Sequence, residues 1–422
     1  MGMIGVYILL SINIIVFICL LFVSERKMGT LVNTYTTYNL VWILFPSMSL
    51  FLNSYIRPIS YDVYVIFFVG ALFFNLTYLL TPPFRIGECC NSIQIDLRKR
   101  RILELIVIVS LLPTAYANYK LIQSGVELWR LNYDYWHEVR NAGSYLYNAY
   151  IQSIVGPMSM LLVFTSYASV NLYKNVSKHS AFINVCLAIL ISIEYFLLSG
   201  GGRAQLMSFV FVSAFSYVAS FNKNLRDYFY KPSKKQLLLF IIAFLLLINF
   251  ANEGRGKQGS FLQNLIDGYN IAPPLFEYYY TRTDLFSHHM YGCSMFEFFV
   301  QLLQYPFKLA GITFYDVQNN DIVQNFVYVP ALGKETNAGV TAFFYYMRDF
   351  GLLGVAIGPV IYAFLLNSLQ RKCSNNAFLL VFFYGGFMSL CFSTGYAFSK
   401  NTWLMLIYLY LFVRISKKKS FG

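Results

Sequence analysis

Apolar runs close to twenty residues long recur along almost the whole chain, and they restrict its possible folds more than any other feature. A helix rises 1.5 Å per residue, so a run of that length matches the roughly 30 Å hydrocarbon core of a bilayer. Backbone polar groups inside lipid find no water, and helices satisfy them internally. The runs fall at about 3–23, 31–54, 60–80, 102–122, 147–170, 180–198, 203–221, 237–251, 341–367, 377–394 and 400–413. The expected fold is an all-α polytopic integral membrane protein, one domain over 1–422, with roughly eleven transmembrane helices (about 10–12). Composition agrees: 57% of residues are hydrophobic, 12% are charged, and mean hydropathy is +0.53. The first run reads as a retained span, because no basic n-region or small-residue cleavage site accompanies it.

Lysine and arginine set the orientation. The loops near 24–28, 81–101, 171–179, 222–236 and 368–376, with the tail from Arg414, hold 20 of the 32 basic residues. They include Arg98-Lys99-Arg100-Arg101 and Lys417-Lys418-Lys419. By the positive-inside rule this side is cytoplasmic, with the N-terminus outside and the C-terminus inside. The net charge of +13 is thus spread over membrane-facing loops, which excludes a nucleic-acid recognition surface. Of seven cysteines only Cys293 falls outside the spans on the external side, so no intrachain disulfide is expected there. No Walker, Rossmann or zinc spacing occurs, and no cofactor or metal is expected.

One stretch breaks the pattern. From 252 to 340 the chain makes a long, slightly acidic external excursion between the eighth and ninth spans. Ser260 can cap a short helix with Phe261, Leu262, Leu265, Ile266 and Tyr269 on one face, and Ala272-Pro273-Pro274 is expected to break it. Glu297, Gln301, Gln304 and Lys308 form a polar stripe at helical spacing, with Phe296, Phe299, Val300, Leu303 and Phe307 facing elsewhere. That pattern predicts an interfacial helix; a further span over 290–312 is the rival reading, opposed by the four polar residues and Pro306. The excursion therefore reads as a lid with short interfacial helices.

Polar residues crowd the same face. Ser199-Gly200-Gly201-Gly202-Arg203 joins two spans, and backbone N–H groups of Gly201 and Gly202 with the Arg203 fork suit an anion. A tight turn whose arginine snorkels to lipid phosphate is the plainer alternative. Glu194 lies about five residues below the turn, where an ionisable group needs a partner or a task. Asn252-Glu253-Gly254-Arg255-Gly256 repeats a glycine-flanked arginine beside Glu253, and Arg282, His288 and His289 follow in the excursion. Asp349, after Arg348, can cap the ninth span or accept a substrate proton. Gly351, Gly354 and Gly358 have the spacing of a close helix-packing face.

Leu198-Ser199-Gly200-Gly201-Gly202-Arg203, the glycine-flanked Arg255 and Arg348-Asp349-Phe350-Gly351-Leu352-Leu353-Gly354 together resemble Wzy-type O-antigen and capsule polymerases over about 100–370. The related O-antigen ligases share that layout. The resemblance implies a glycosyltransferase at the outer face of a bacterial inner membrane. It would join undecaprenyl-pyrophosphate-linked oligosaccharide repeats without metal or nucleotide. Arg203, Arg255, Arg282, Gly201, Gly202 and Arg348 would then hold pyrophosphate or substrate, and Tyr279 would stack on sugar. Asp349, Glu194, Glu253, His288 and His289 are the candidate bases, of which one is expected to act. A chain-length regulator, a flippase and membrane lipid are the implied partners. A lipid-linked oligosaccharide flippase or transporter is the main alternative, disfavoured by the lack of visible repeats and of mid-membrane charge.

Overall fold

The computed structural model describes residues 3–29, 31, 33–44, 57–82, 96–126, 150–166, 178–198, 271–281, 283–312, 319–336, 341–374 and 400–416, with short pieces between 233 and 246. These residues are mostly helical, with one two-stranded hairpin. Among them four helical stretches are, by length and composition, long and apolar enough to cross a membrane: Ile4–Met28, Tyr61–Leu80, Leu97–Gln123 and Ala342–Ser374, the last interrupted by a 3-10 turn. Arg203, Arg255, Arg282, Glu253, Gly201, Gly202, the helix expected after Ser260 and the spans at 203–221 and 377–394 lie outside the described residues.

The chain divides into two compact units interleaved in sequence. One takes Met1–Ile86, Leu262–Arg371 and Leu390–Lys400; the other takes Gly87–Phe261, Lys372–Ser389 and Asn401–Gly422.

In the first unit, α1 (Met3–Met28) ends on Arg26 and Lys27, and Gly29 at φ +72 turns the chain. The short α2 (Thr34–Asn39) starts where the Asn33 side chain accepts the Thr36 N–H. It runs on through a π-helical turn, Leu40–Leu44, beside α3 (Tyr61–Leu80). Their contact is aromatic: Tyr38 stacks on Phe74 at 3.5 Å, and Trp42 meets Phe67 at 5.4 Å. Buried amides pair across it, Asn39 Nδ2 donating to Asn75 Oδ1 at 2.8 Å and Asn75 Nδ2 to Asn39 Oδ1 at 2.7 Å. Each amide meets the other's need, which is how polar side chains are tolerated between apolar helices.

The loops with which α3 begins and ends are tied down separately. At its C-terminal end Lys27 Nζ donates to the Leu79 carbonyl at 2.9 Å, and Tyr78 Oη donates to Gln370 Oε1 at 2.9 Å. At its N-terminal end, about 30 Å away along the helix, Glu277 accepts the Ser60 N–H at 2.7 Å and pairs with Arg57 at 3.2 Å. Thus within this unit the loops read as basic-side gather at one end, and Arg57 meets the excursion at the other.

The described part of the excursion is folded. Helix α4 (Ala272–Tyr280) begins at the two prolines read above as a breaker. At the first turn proline's missing N–H costs nothing and its fixed φ suits the helix, so Pro273-Pro274 start the element. Then come α5 (Thr283–Ser287), α6 (Glu297–Leu309), α7 (Asn319–Gln324) and the hairpin Val327–Val329 with Lys334–Thr336.

The predicted 341–367 span is two helices, α8 (Ala342–Phe350) and α9 (Gly354–Ser374), joined by a 3-10 turn. Gly351 has φ +57, and there the chain reverses. A β-carbon on Gly354 would overlap the Tyr346 carbonyl oxygen, and one on Gly358 would overlap the Tyr346 ring. Residues eight and twelve apart on a straight helix would be about 12 and 18 Å apart, so α8 folds back on α9. Two of the three glycines, Gly354 and Gly358, form a close packing face whose partner is the chain's own preceding helix, whereas Gly351 sits in the turn and faces His289. The 21 residues of α9 alone are long enough to span.

In the second unit, α10 (Leu97–Gln123) packs against α11 (Gly156–Ser166) and α12 (Lys178–Leu198). Arg100 is fully buried; its Nε donates to Glu104 at 2.8 Å and a terminal nitrogen donates to the Leu162 carbonyl at 3.2 Å. A last helix, α13 (Lys400–Ser416), also joins this unit.

Candidate functional site

The sequence candidates that the described residues bring together lie around the reversal at Gly351. Helix α8 is buried almost all round, including Arg348 and Asp349. Its last carbonyls have no partner within the helix. The segment after α5 supplies one: Met290 N–H donates to the Arg348 carbonyl at 2.9 Å and Tyr291 N–H to the Asp349 carbonyl at 3.1 Å. Tyr291 at φ +48 and Gly292 at φ +95 then turn the chain sharply. That turn aims two amides back at α8: Ser294 N–H donates to Asp349 Oδ1 and Met295 N–H to Oδ2, both at 2.8 Å. The strands of contact run both ways, and Asp349 is 0% exposed.

Arg348 extends the cluster. It donates to Asn319 Oδ1 and lies over the Phe344 ring at 5.9 Å. Asn319 Nδ2 donates to the Ser294 carbonyl at 3.1 Å and to Glu297 Oε2 at 3.0 Å, and Gln301 donates to Glu297 Oε1 at 2.8 Å. A hydrogen-bonded path therefore leads from the buried guanidinium through Asn319 and Glu297 to exposed Gln301. Along it the neutral Asn319 amide links one cation to one carboxylate, each of them hydrogen-bonded, which lets the pair share a mostly buried place.

Chemical availability differs sharply among the candidates. Asp349 already uses both carboxylate oxygens on backbone amides, so its evident work is to hold the 290–296 turn against α8. His288 and His289 are exposed. His289 rests its ring beside Gly351, where a β-carbon would come within 2.7 Å of Nε2, and meets Tyr291 edge-on at 6.2 Å. Tyr279 is 3% exposed, donates to the Ile322 carbonyl at 2.9 Å and packs on Phe344, so its ring belongs to the core. Cys293 sits in the same turn, and burial with the Asp349 charge pushes its thiol pKa up.

Glu194 lies in the other unit, on α12, about four residues or 6 Å before that helix ends. Its Oε2 is buried with no hydrogen-bond partner among the described residues. No family model, curated protein or solved structure matches the chain. Its functional reading therefore rests on its own residues.

Sequence reasoning missed two residues. Asn319 joins Arg348 to Glu297, and Glu277 anchors the Arg57 loop from a site only 4% exposed. Glu277 stood in the tyrosine-rich run Glu277-Tyr278-Tyr279-Tyr280, and a carboxylate in that apolar company was the available signal.

Proposed function

We propose that the protein polymerises undecaprenyl-pyrophosphate-linked oligosaccharide repeats into an O-antigen or capsule-like polysaccharide at the outer face of a bacterial inner membrane. The observation that carries the reading is the folded polar excursion on a largely apolar helical body, seated on a chain reversal with Arg348 and Asp349 at its base. A large substrate-handling surface outside the membrane is what two bulky lipid-linked glycans require. In the transfer, the acceptor hydroxyl oxygen bonds to the donor sugar C1 while the C1–O bond to pyrophosphate breaks. The hydroxyl proton goes to a base, and undecaprenyl pyrophosphate departs.

Arg203, Arg255 and Arg282 are assigned to the departing pyrophosphate. One such charge contact is worth about 10²–10³ in rate. His289 and His288 are favoured as base over Asp349, because they are exposed and the Asp349 oxygens are occupied; Glu194 and Glu253 remain candidates. The base adds roughly 10²–10⁴.

Replacing Arg203 and Arg255 singly by alanine tests this. Correctly inserted variants should make single-repeat glycans in place of long chains, read as loss of the ladder on a gel. Unchanged ladders from both would refute the polymerase. Loss of even the single repeat would instead indicate the flippase alternative.

A further inference from the structure

We propose that the place where the start of α10 meets the end of α13 binds the headgroup of an anionic phospholipid. Two basic segments more than 300 positions apart come together there: Lys99 Nζ donates to the Ile415 carbonyl at 3.1 Å. The contact puts Arg98 and Arg101 on one side and Arg414 on the other, with Arg98 and Arg414 exposed and Arg101 about one-third exposed.

Among the described residues the carboxylates nearby are already engaged. Asp96 accepts the backbone N–H groups of Arg98 at 2.9 Å and Lys99 at 3.4 Å, as a helix cap does. Glu104 is buried and bound to Arg100, with Arg101 only at 4.0 Å. The junction is left with a surplus of positive charge. It differs in this from the rim expected of any basic loop, because the cations are held on two helix ends fixed to each other.

Immediately below them α10 carries an exposed apolar stripe, Ile102, Leu105, Ile106 and Val109, at helical spacing and between 50% and 61% exposed. Cations above a lipid-facing stripe match a molecule with a phosphate head and acyl tails. A soluble phosphate would have no use for the stripe. Each basic residue near a membrane surface adds about fivefold to binding of an anionic lipid.

The test uses the purified full-length protein in neutral detergent, with retained lipid counted by native mass spectrometry and the thermal midpoint followed. Phosphatidylglycerol should remain bound and raise the midpoint, phosphatidylcholine should not, and 1 M salt should remove the difference. The triple variant R98Q/K99Q/R101Q should bind phosphatidylglycerol about a hundredfold more weakly. R414Q, on the other helix, should weaken it about fivefold. Exposed Lys334 in the other unit supplies the control, and K334Q should bind as the parent does. Equal binding of the two lipids by the parent protein overturns the proposal, and that arm needs no variant to fold. So do an R414Q affinity equal to the parent's, an equal loss in K334Q, or inorganic phosphate reproducing the stabilisation. None of these readouts depends on polymerase activity.

Discussion

Gly351 concentrates several demands at one residue. Its φ of +57 is open to glycine and strained for other residues, and His289 occupies the space a side chain would need. Gly351→Ala should therefore destabilise the protein by about 1–2 kcal/mol, seen as a lower thermal midpoint in detergent. Adding His289→Ala should recover the collision part and leave the backbone part, a coupling that a double-mutant cycle measures. Asp349→Asn keeps the shape but offers one acceptor oxygen where two are used. A loss of about 1–3 kcal/mol is expected, with faster amide exchange at Ser294 and Met295. Cys293 reports the same change chemically. Its raised pKa keeps the thiol protonated at a pH where a free cysteine is partly ionised, so alkylation there should be slow. Asp349→Asn removes one cause of the rise and should speed alkylation, with peptide mapping as the measurement. The sequence marked Asp349 as cap or base and went no further. Its amide partners lie 55 and 54 positions away, and no local pattern encodes that meeting.

Helix α6 was legible as an element, because a polar stripe at helical spacing survives any tertiary context. Its orientation was not. Gln304 is buried and Glu297 is tied to Asn319, whereas Leu302 and Leu303 are 58% and 73% exposed. The polar stripe meets the protein at Glu297 and Gln304 while Gln301 between them is exposed, and Leu302, Leu303 and Phe307 are left uncovered, unlike the apolar side of a water-soluble surface helix. Such a helix belongs at a lipid boundary. Leu303→Trp should show blue-shifted emission quenched by brominated lipids; emission like that of free tryptophan in water would contradict that placement. The reversal between α8 and α9 was hidden for a different reason. Hydropathy counts apolar residues without sensing direction, so 342–374 reads as one span whether straight or folded. Pro273-Pro274 misled in the opposite way, since proline both ends helices and begins them. Only the next turn, Leu275-Phe276-Glu277, distinguishes the two cases.

Across the whole molecule, membrane character was legible because it needs only length and polarity. The division into two units was not, because each unit draws on distant segments. Glu277 shows what holds them: it joins the start of α3 to the excursion from 220 positions away. Glu277→Ala should leave the Ser60 N–H and Arg57 without this partner and destabilise the first unit by about 1–3 kcal/mol, again read as a thermal midpoint. The interleaving also dictates an order of events during synthesis. Arg57 emerges long before Glu277, and at about 5–20 residues per second the ribosome needs roughly 11–44 seconds to make the 220 residues between them. For that time α1, α2 and α3 wait with their aromatic flank open, while all of 87–261 is made. The opening pair of amides, Asn39 and Asn75, is complete within the early helices and can hold them in register until the late half of their own unit arrives.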